Sequence, residues 1–388
     1  MLCKNLMNTY KRDILIKKGA GRSLFDDKGK KYLDLVGGLG ACSIGHSPKG
    51  FAGKINEQAE TLINCSNLFF SEPQIKLSEK LCRLSGLEKC FFSNSGTESV
   101  EAAIKLARKH TRKAKIIAME NGFHGRTMGS LSATWNSQFK AKFEPLVPGF
   151  DHAVFGDVGS LKKKICKKTA AVLLEPIQGE AGIIIPPAGY LQDVYEICQK
   201  KNLLLILDEV QTGNGRTGKY FCFEHEKISP DIVVTAKGIA NGLPLGVTIS
   251  KHGIDFEPGD HASTFGGNAL SCAAALQTIK VLERLIPKVE EKGARFLAGL
   301  KCISSNEIKD VRGKGLMLGM ELVRDRKSKD PATAETAELV ERAKDMAVLL
   351  GKGGLCGNVV RIKPPMCLTK EDADFSLAVF DRALGAIR

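Results

Sequence analysis

The chain predicts an α/β protein whose largely parallel sheet is covered by helices on both faces, with a smaller α+β domain attached. Three observations carry that prediction. Short apolar runs alternate with amphipathic stretches through the middle of the chain. Those runs are continuously apolar, as strands buried on both faces are, and lack the in–out alternation of half-solvated strands. The texture then changes near Ser271 to longer helices and short strands. At 388 residues and 43% hydrophobic content, there is material for two or three domains and a sizeable core.

Taken in order, "RSLFDDKGKKYLDL" (22–35) reads as two short strands around an Asp-Asp-Lys-Gly turn, so residues 1–45 are expected to join the small domain. Residues 46–270 form the expected large domain. Within it, the strand-like "CFFSN" (90–94) leads into "SGTESVEAAIKLARKH". There Ser95 to Glu98 is an S-x-x-E capping box, and Val100, Ala103, Ile104 and Ala107 form an apolar stripe. Further strands are "KIIAM" (115–119), "AAVLLEP" (170–176), "LLLILDE" (203–209), "DIVVTA" (231–236) and "LGVTIS" (245–250). Between two of them, Leu191, Val194, Tyr195 and Cys198 fall at i, i+3, i+4, i+7 and mark one helix face. Residues 271–388 form the expected small domain, with helices over 272–285 and 336–350 and strands over 315–322 and 359–365.

The net charge of +14 raises the question of an acidic or nucleic-acid partner. The basic clusters at 107–115 and 161–168 interleave no aromatic residues, and no zinc finger, basic zipper or RNA-recognition signature accompanies them. A solvated basic face, attracting small anionic substrates, is the reading we take, and no nucleic-acid partner is expected. Twelve cysteines are scattered without a C-x-x-C pair or zinc-like spacing. "MLCKNLMNTYKRD" has no apolar stretch of signal-peptide length, and the longest apolar run, Leu203–Leu207, cannot cross a bilayer. Reduced thiols, a cytoplasmic setting and no membrane insertion are the expectations.

In parallel sheets ligands bind beyond the carboxyl ends of strands. Asp208 ends an otherwise apolar strand, and a buried carboxylate stays ionised only beside a cation or strong hydrogen-bond donors. Lys237 follows another strand and precedes a glycine- and proline-containing turn; it is either a turn lysine reaching water or a functional amine. Gly96 and Thr97 sit at a helix N-terminus, where free N–H groups and the helix dipole favour a phosphate, although an ordinary capped helix has the same look. The G-x-G-x-x-G at Gly213, Gly215 and Gly218 argues weakly for a dinucleotide site, because "KYFCFEHE" after it does not start a helix. Together, a phosphate site, a strand-end carboxylate and a strand-end lysine are what pyridoxal 5'-phosphate requires.

The motifs "NSGTES", "FHGRT", "EPIQGEAG", "DEVQTGNGRTG", "AKGIANGLPLG" and "STFGGNAL" stand in this order, and with them the chain resembles the class III aminotransferases over nearly its whole length. The resemblance implies fold type I of the pyridoxal-phosphate enzymes, the aspartate aminotransferase-like architecture. It implies Lys237 as Schiff-base lysine and proton carrier, Asp208 at the pyridinium nitrogen, Gln211 at the phenolic oxygen and Phe123 against the ring. Gly96, Thr97 and Thr264 would hold the phosphate, Thr264 reaching across from the neighbouring subunit of a homodimer with Ser263 beside it near substrate. Arg126, Glu180 and Arg361 would handle substrate, Glu180 neutralising Arg361 while an ω-amine is bound and releasing it for the α-carboxylate of glutamate.

Within the family, "SNLFFSEPQIKLSEKL" (66–81) resembles the acetylornithine aminotransferases. "SATWN" (132–136) and "FEPLVPG" (143–149) are similar to the arginine and lysine biosynthetic branch, which includes enzymes whose substrates ride on an acidic carrier protein. "GKGGLCGNVVRIKPPMCLTKEDAD" (351–374) instead resembles 4-aminobutyrate and alanine–glyoxylate relatives, and "GIAN" and "GGLGACS" depart from the commoner "GIGG" and "GGIAVNS". The expected activity is transfer of the δ-amino group of N2-acetylornithine to 2-oxoglutarate. The alternative is another ω-aminotransferase acting on 4-aminobutyrate, ornithine or a carrier-linked precursor.

Overall fold

Seven strands form the central sheet of the computed structural model, which describes residues 5–7, 9–10 and 12–387. The expectations placed on residues 1–4 of the N-terminus, and on 8, 11 and 388, lie outside the described residues. The N-terminal strands are β1 (Ile16–Ala20), β2 (Ser23–Asp26) and β3 (Lys31–Asp34). The central sheet contains β4 (Lys89–Ser93), β5 (Lys115–Met119), β6 (Phe150–Ala153), β7 (Thr169–Leu174), β8 (Leu204–Asp208), β9 (Ile232–Thr235) and β10 (Gly246–Ser250). Their order is β4-β10-β9-β8-β7-β5-β6. β10 runs antiparallel to both of its neighbours, and the other pairs of this sheet are parallel. The doubly covered strands are the apolar runs of the sequence: every residue of β7, β8, β9 and β10 is buried.

The expected helix after β7 spans Tyr190–Lys201 and buries Leu191, Val194, Ile197 and Cys198 against the core. After β4, Ser95 caps the helix Gly96–Thr111 by accepting from Glu98 N. The Glu98 carboxylate reaches back to Asn94 N, one residue before the cap, so the return bond of a full capping box is displaced by one position. The glycines at 213, 215 and 218 lie in a run of turns followed by a short 3-10 segment at Cys222–His225, and the helix a dinucleotide site needs does not form.

The C-terminal region carries β11 (Ile308–Lys314), β12 (Met317–Leu322), β13 (Val348–Leu349), β14 (Gly351–Gly353) and β15 (Val359–Ile362). β11-β12-β15-β14 is an antiparallel sheet. β3 pairs in parallel with β13, Leu33 opposite Val348, which fastens the N-terminal hairpin to the C-terminal region. The helix expected over 336–350 spans Thr333–Asp345 instead. Ala347 turns into the left-handed region (φ 65°), and Val348 is then buried as a strand residue against β3. All described cysteines are free thiols, and among the described residues no helix is long and apolar enough to cross a membrane.

Candidate active site

A cavity of about 380 Å³ opens at the carboxyl ends of the parallel strands. The sheet places its lining residues directly: Asn94, Gly96 and Thr97 follow β4, Phe123, His124 and Arg126 follow β5, Glu175 follows β7, Asp208 ends β8 and Lys237 follows β9. A crossover that returns each parallel strand from the same direction brings all of these loops to one edge.

Lys237 takes a left-handed backbone (φ 46°) at the start of a short 3-10 turn, a conformation that costs a non-glycine residue free energy and aims its amine into the cavity. Burial pushes the amine below the ordinary lysine range, and Glu180, Asp208 and Glu175 partly offset that push. A less basic amine has a larger neutral, nucleophilic fraction at neutral pH.

Asp208 is 4% exposed, and its partner is an imidazole: Oδ2 lies 2.8 Å from His124 Nδ1, while Oδ1 accepts from Val210 N at 3.1 Å. His124 Nε2 is buried without a partner. Behind this pair, Glu175 accepts from Phe123 N (3.0 Å) and Gly179 N (2.9 Å), pinning the Phe123 loop to the turn before Glu180. Burial raises the Glu175 carboxyl to about 7.

The helix end at Gly96 is a cradle that tolerates no side chain, since a Cβ there would come within 2.9 Å of the Val210 methyls. Gly125 (φ 136°) likewise leaves room for the Thr97 and Ser130 hydroxyls. Thr97 Oγ1 accepts from Arg126 N (3.2 Å), which ties the helix end to the "FHGRT" loop. The Arg126 guanidinium stacks on Phe139, 3.8 Å from the ring centroid, and lies 5.5 Å from that of Phe123.

Arg361 is 5% exposed and forms an ion pair with Glu180 through Nη1, while Nη2 donates to Lys352 O (3.1 Å). Burial by itself would raise the Glu180 carboxyl, but Arg361, followed by Lys363 and Lys237, brings it below its ordinary value. Gln211 lines the cavity, and its Oε1 accepts from Lys363 Nζ at 2.6 Å. Ser263 Oγ accepts from Asn94 Nδ2 (3.3 Å), so it adjoins the cavity at second hand. Thr264 is exposed and outside the cavity formed by this chain.

Sequence reasoning passed over His124, Glu175, Asn94 and Lys363. The first three lie inside quoted motifs beside residues that were chosen. Lys363 follows Arg361 by two positions, just past the end of β15, and the strand period of two was the signal that could have found it.

Solved structures share this architecture and are aminotransferases. One is the ornithine aminotransferase of Toxoplasma gondii, described with partial occupancy of PLP at its active site, at 30% identity and a TM-score of 0.92 over 99% of this chain and 92% of that one. The chain is accordingly an aminotransferase. It belongs to the class-III aminotransferase family, whose profile matches residues 6–384. Among curated relatives, the acetylornithine aminotransferase of Methanopyrus kandleri is 45% identical, covering 100% of this chain and 98% of that protein. That of Methanosarcina acetivorans is 43% identical, covering 98% of this chain and 94% of that protein.

Proposed function

We propose that the protein transfers the δ-amino group of N2-acetylornithine to 2-oxoglutarate, giving N-acetylglutamate 5-semialdehyde and glutamate, with pyridoxal 5'-phosphate as cofactor. The observation that carries this reading is the Glu180–Arg361 pair beside a buried lysine, in a chain whose full-length relatives at 45% and 43% identity are named for that activity. One site must accept an amine end that carries no carboxylate and then the α-carboxylate of glutamate. A paired arginine that can be released meets both demands.

The residues fit the cofactor. Gly96 and Thr97 offer a helix N-terminus for its phosphate, and the Gly96 and Gly125 cradles keep side chains away. Asp208, held by His124, offers a buried carboxylate for the ring nitrogen, Gln211 an amide for the phenolic oxygen and Phe123 a ring to pack on. When bound, the cofactor supplies an electron sink for the carbon that carries the amine. Lys237 Nζ then has two tasks: to hold the cofactor covalently between turnovers and to carry the proton to and from that substrate carbon. Arg126 meets the substrate's outer carboxylate, and Arg361 takes the α-carboxylate of glutamate once Glu180 lets go.

A homodimer completes the phosphate site in this reading, with Thr264 supplied by the second subunit. Supporting it, Leu68, Phe69, Phe70 and Phe265 are all more than 60% exposed, and Asn67 ties the first loop to the second through Ser263 O (2.7 Å) and Gly266 O (2.9 Å). An apolar patch of this kind beside Thr264 suits burial against another copy. The setting is proposed as cytoplasmic. The second reading, another ω-amine donor or one tethered to an acidic carrier, draws on the 351–374 segment and on the basic surface. Steady-state kcat/KM for N-acetylornithine, ornithine and 4-aminobutyrate with 2-oxoglutarate tests the choice. Preference for N-acetylornithine is expected, and preference for either other amine overturns it.

A further inference from the structure

Lys363 is 3% exposed, yet it lies on the chain leaving β15 with its amine turned inward onto Gln211, a cavity-lining residue, instead of toward water. Its backbone is fixed: Lys363 N donates to Leu35 O (2.8 Å), and Gly37 packs so closely on Lys363 O that a Cβ at residue 37 would lie 2.5 Å from it. The Nζ meets Gln211 Oε1 at 2.6 Å. Gln211 is in turn pressed flat on Gly179, where a Cβ would lie 2.5 to 2.8 Å from all three atoms of the amide.

We infer that Lys363 is a positioning residue that sets the orientation of the Gln211 amide, so that its NH₂ group and not its oxygen is presented to the cavity. While it carries its proton, the Lys363 amine has donors and no acceptor, so in that state it selects the carbonyl oxygen of a primary amide and turns the two N–H bonds to the other side. Without that contact the amide could present either end, and an oxygen would repel the electron-rich phenolic oxygen that Gln211 is proposed to meet. Burying a lysine next to Arg361 and Lys237 is expensive, and burial followed by those two charges pulls its amine well below the ordinary range. Glu180 and the Gln211 oxygen are the groups that favour keeping the proton there. The inference rests on the pyridoxal-phosphate reading for its consequence, but not for its geometry.

The test is a double-mutant cycle with Lys363→Met and Gln211→Met, alone and together, read by pyridoxal phosphate binding to the apo-protein and by the pH midpoint of the bound cofactor's visible band. Each single variant is expected to weaken binding roughly five- to tenfold, and the double variant to be no worse than Gln211→Met. Both single variants should move the pH midpoint in the same direction. Wild-type binding in Lys363→Met, or losses that multiply in the double variant, overturns the inference, since a charge acting through space would persist without Gln211.

Should Lys363→Met fail to fold, the apo-proteins of Gln211→Glu and Gln211→Met give the answer. The carboxylate keeps a partner for the amine and should melt no lower than the wild type, whereas Gln211→Met should melt lower by about 2 °C or more. Equal melting of the two contradicts the contact. If wild-type apo-protein binds no pyridoxal phosphate, the cofactor reading falls while the melting comparison still decides the role of Lys363.

Discussion

On the proposed function, replacing Glu180 with Ala should separate the two substrates that one site serves. In the structure the Arg361 side chain is 6% exposed and paired with a Glu180 side chain that is 36% exposed. Partial solvation of the carboxylate keeps the pair nearer the roughly 1 kcal/mol of a surface bridge than the 3–5 kcal/mol of a fully buried one. In the proposed exchange, glutamate displaces Glu180 to place its α-carboxylate on Arg361, so removing Glu180 relieves that competition and should raise kcat/KM for glutamate by roughly five- to tenfold. N-acetylornithine brings no carboxylate to this end. With it bound, the variant holds an uncompensated buried cation, because Lys352 O on Nη2 supplies no charge, and the cost is about 1–3 kcal/mol. The ratio of the two kcat/KM values should therefore shift toward glutamate by roughly a hundredfold. Single-turnover absorbance changes with each substrate measure the two half-reactions separately. A ratio that stays within about twofold of the wild type would refute the exchange of partners.

Three further outcomes are expected. Lys237→Ala should retain non-covalent pyridoxal phosphate and lose both half-reactions; turnover at the wild-type rate would remove the lysine from catalysis. Asp208→Asn can still accept from Val210 N but carries no charge opposite His124, and kcat should fall by about 10²- to 10³-fold, as for other lost electrostatic stabilisers, with an unchanged kcat making the carboxylate structural. His46 is raised to about 9 by its hydrogen bond to Asp34 (2.7 Å) and then by Cys42, so its contribution to stability is full below its ordinary value of 6.5 and is lost as pH rises through about 9. Melting of the apo-protein between pH 6 and 10 should show that loss in the wild type but not in His46→Asn; parallel curves would dismiss the pair.

What the sequence disclosed was what short-range patterns encode. β7 and β8 were legible because strands buried on both faces have no polar positions to disguise them, and Asp208 stood out as a carboxylate closing an otherwise apolar strand. The direction of β10 was hidden, since an apolar run reads the same in either orientation and only its pairing with β4 and β9 decides it. The helix ending at Asp345 looked longer because Val348 and Leu349 continue an apolar stripe, and it is the distant β3 that claims them as strand residues. The site divides along the same line. Lys237, Asp208 and the helix end at Gly96 announce themselves locally. The imidazole facing Asp208 comes from 84 residues away and the amine facing Gln211 from 152, separations that no periodicity records.

The most direct test of the central claim is borohydride reduction of the protein loaded with pyridoxal phosphate, followed by peptide mass mapping, with and without prior addition of N-acetylornithine. The account predicts the reduced cofactor on the peptide containing Lys237, and loss of that label when N-acetylornithine is added first, because the amino donor frees the lysine. A label on another lysine, or one that N-acetylornithine leaves untouched while another amine removes it, would contradict the account.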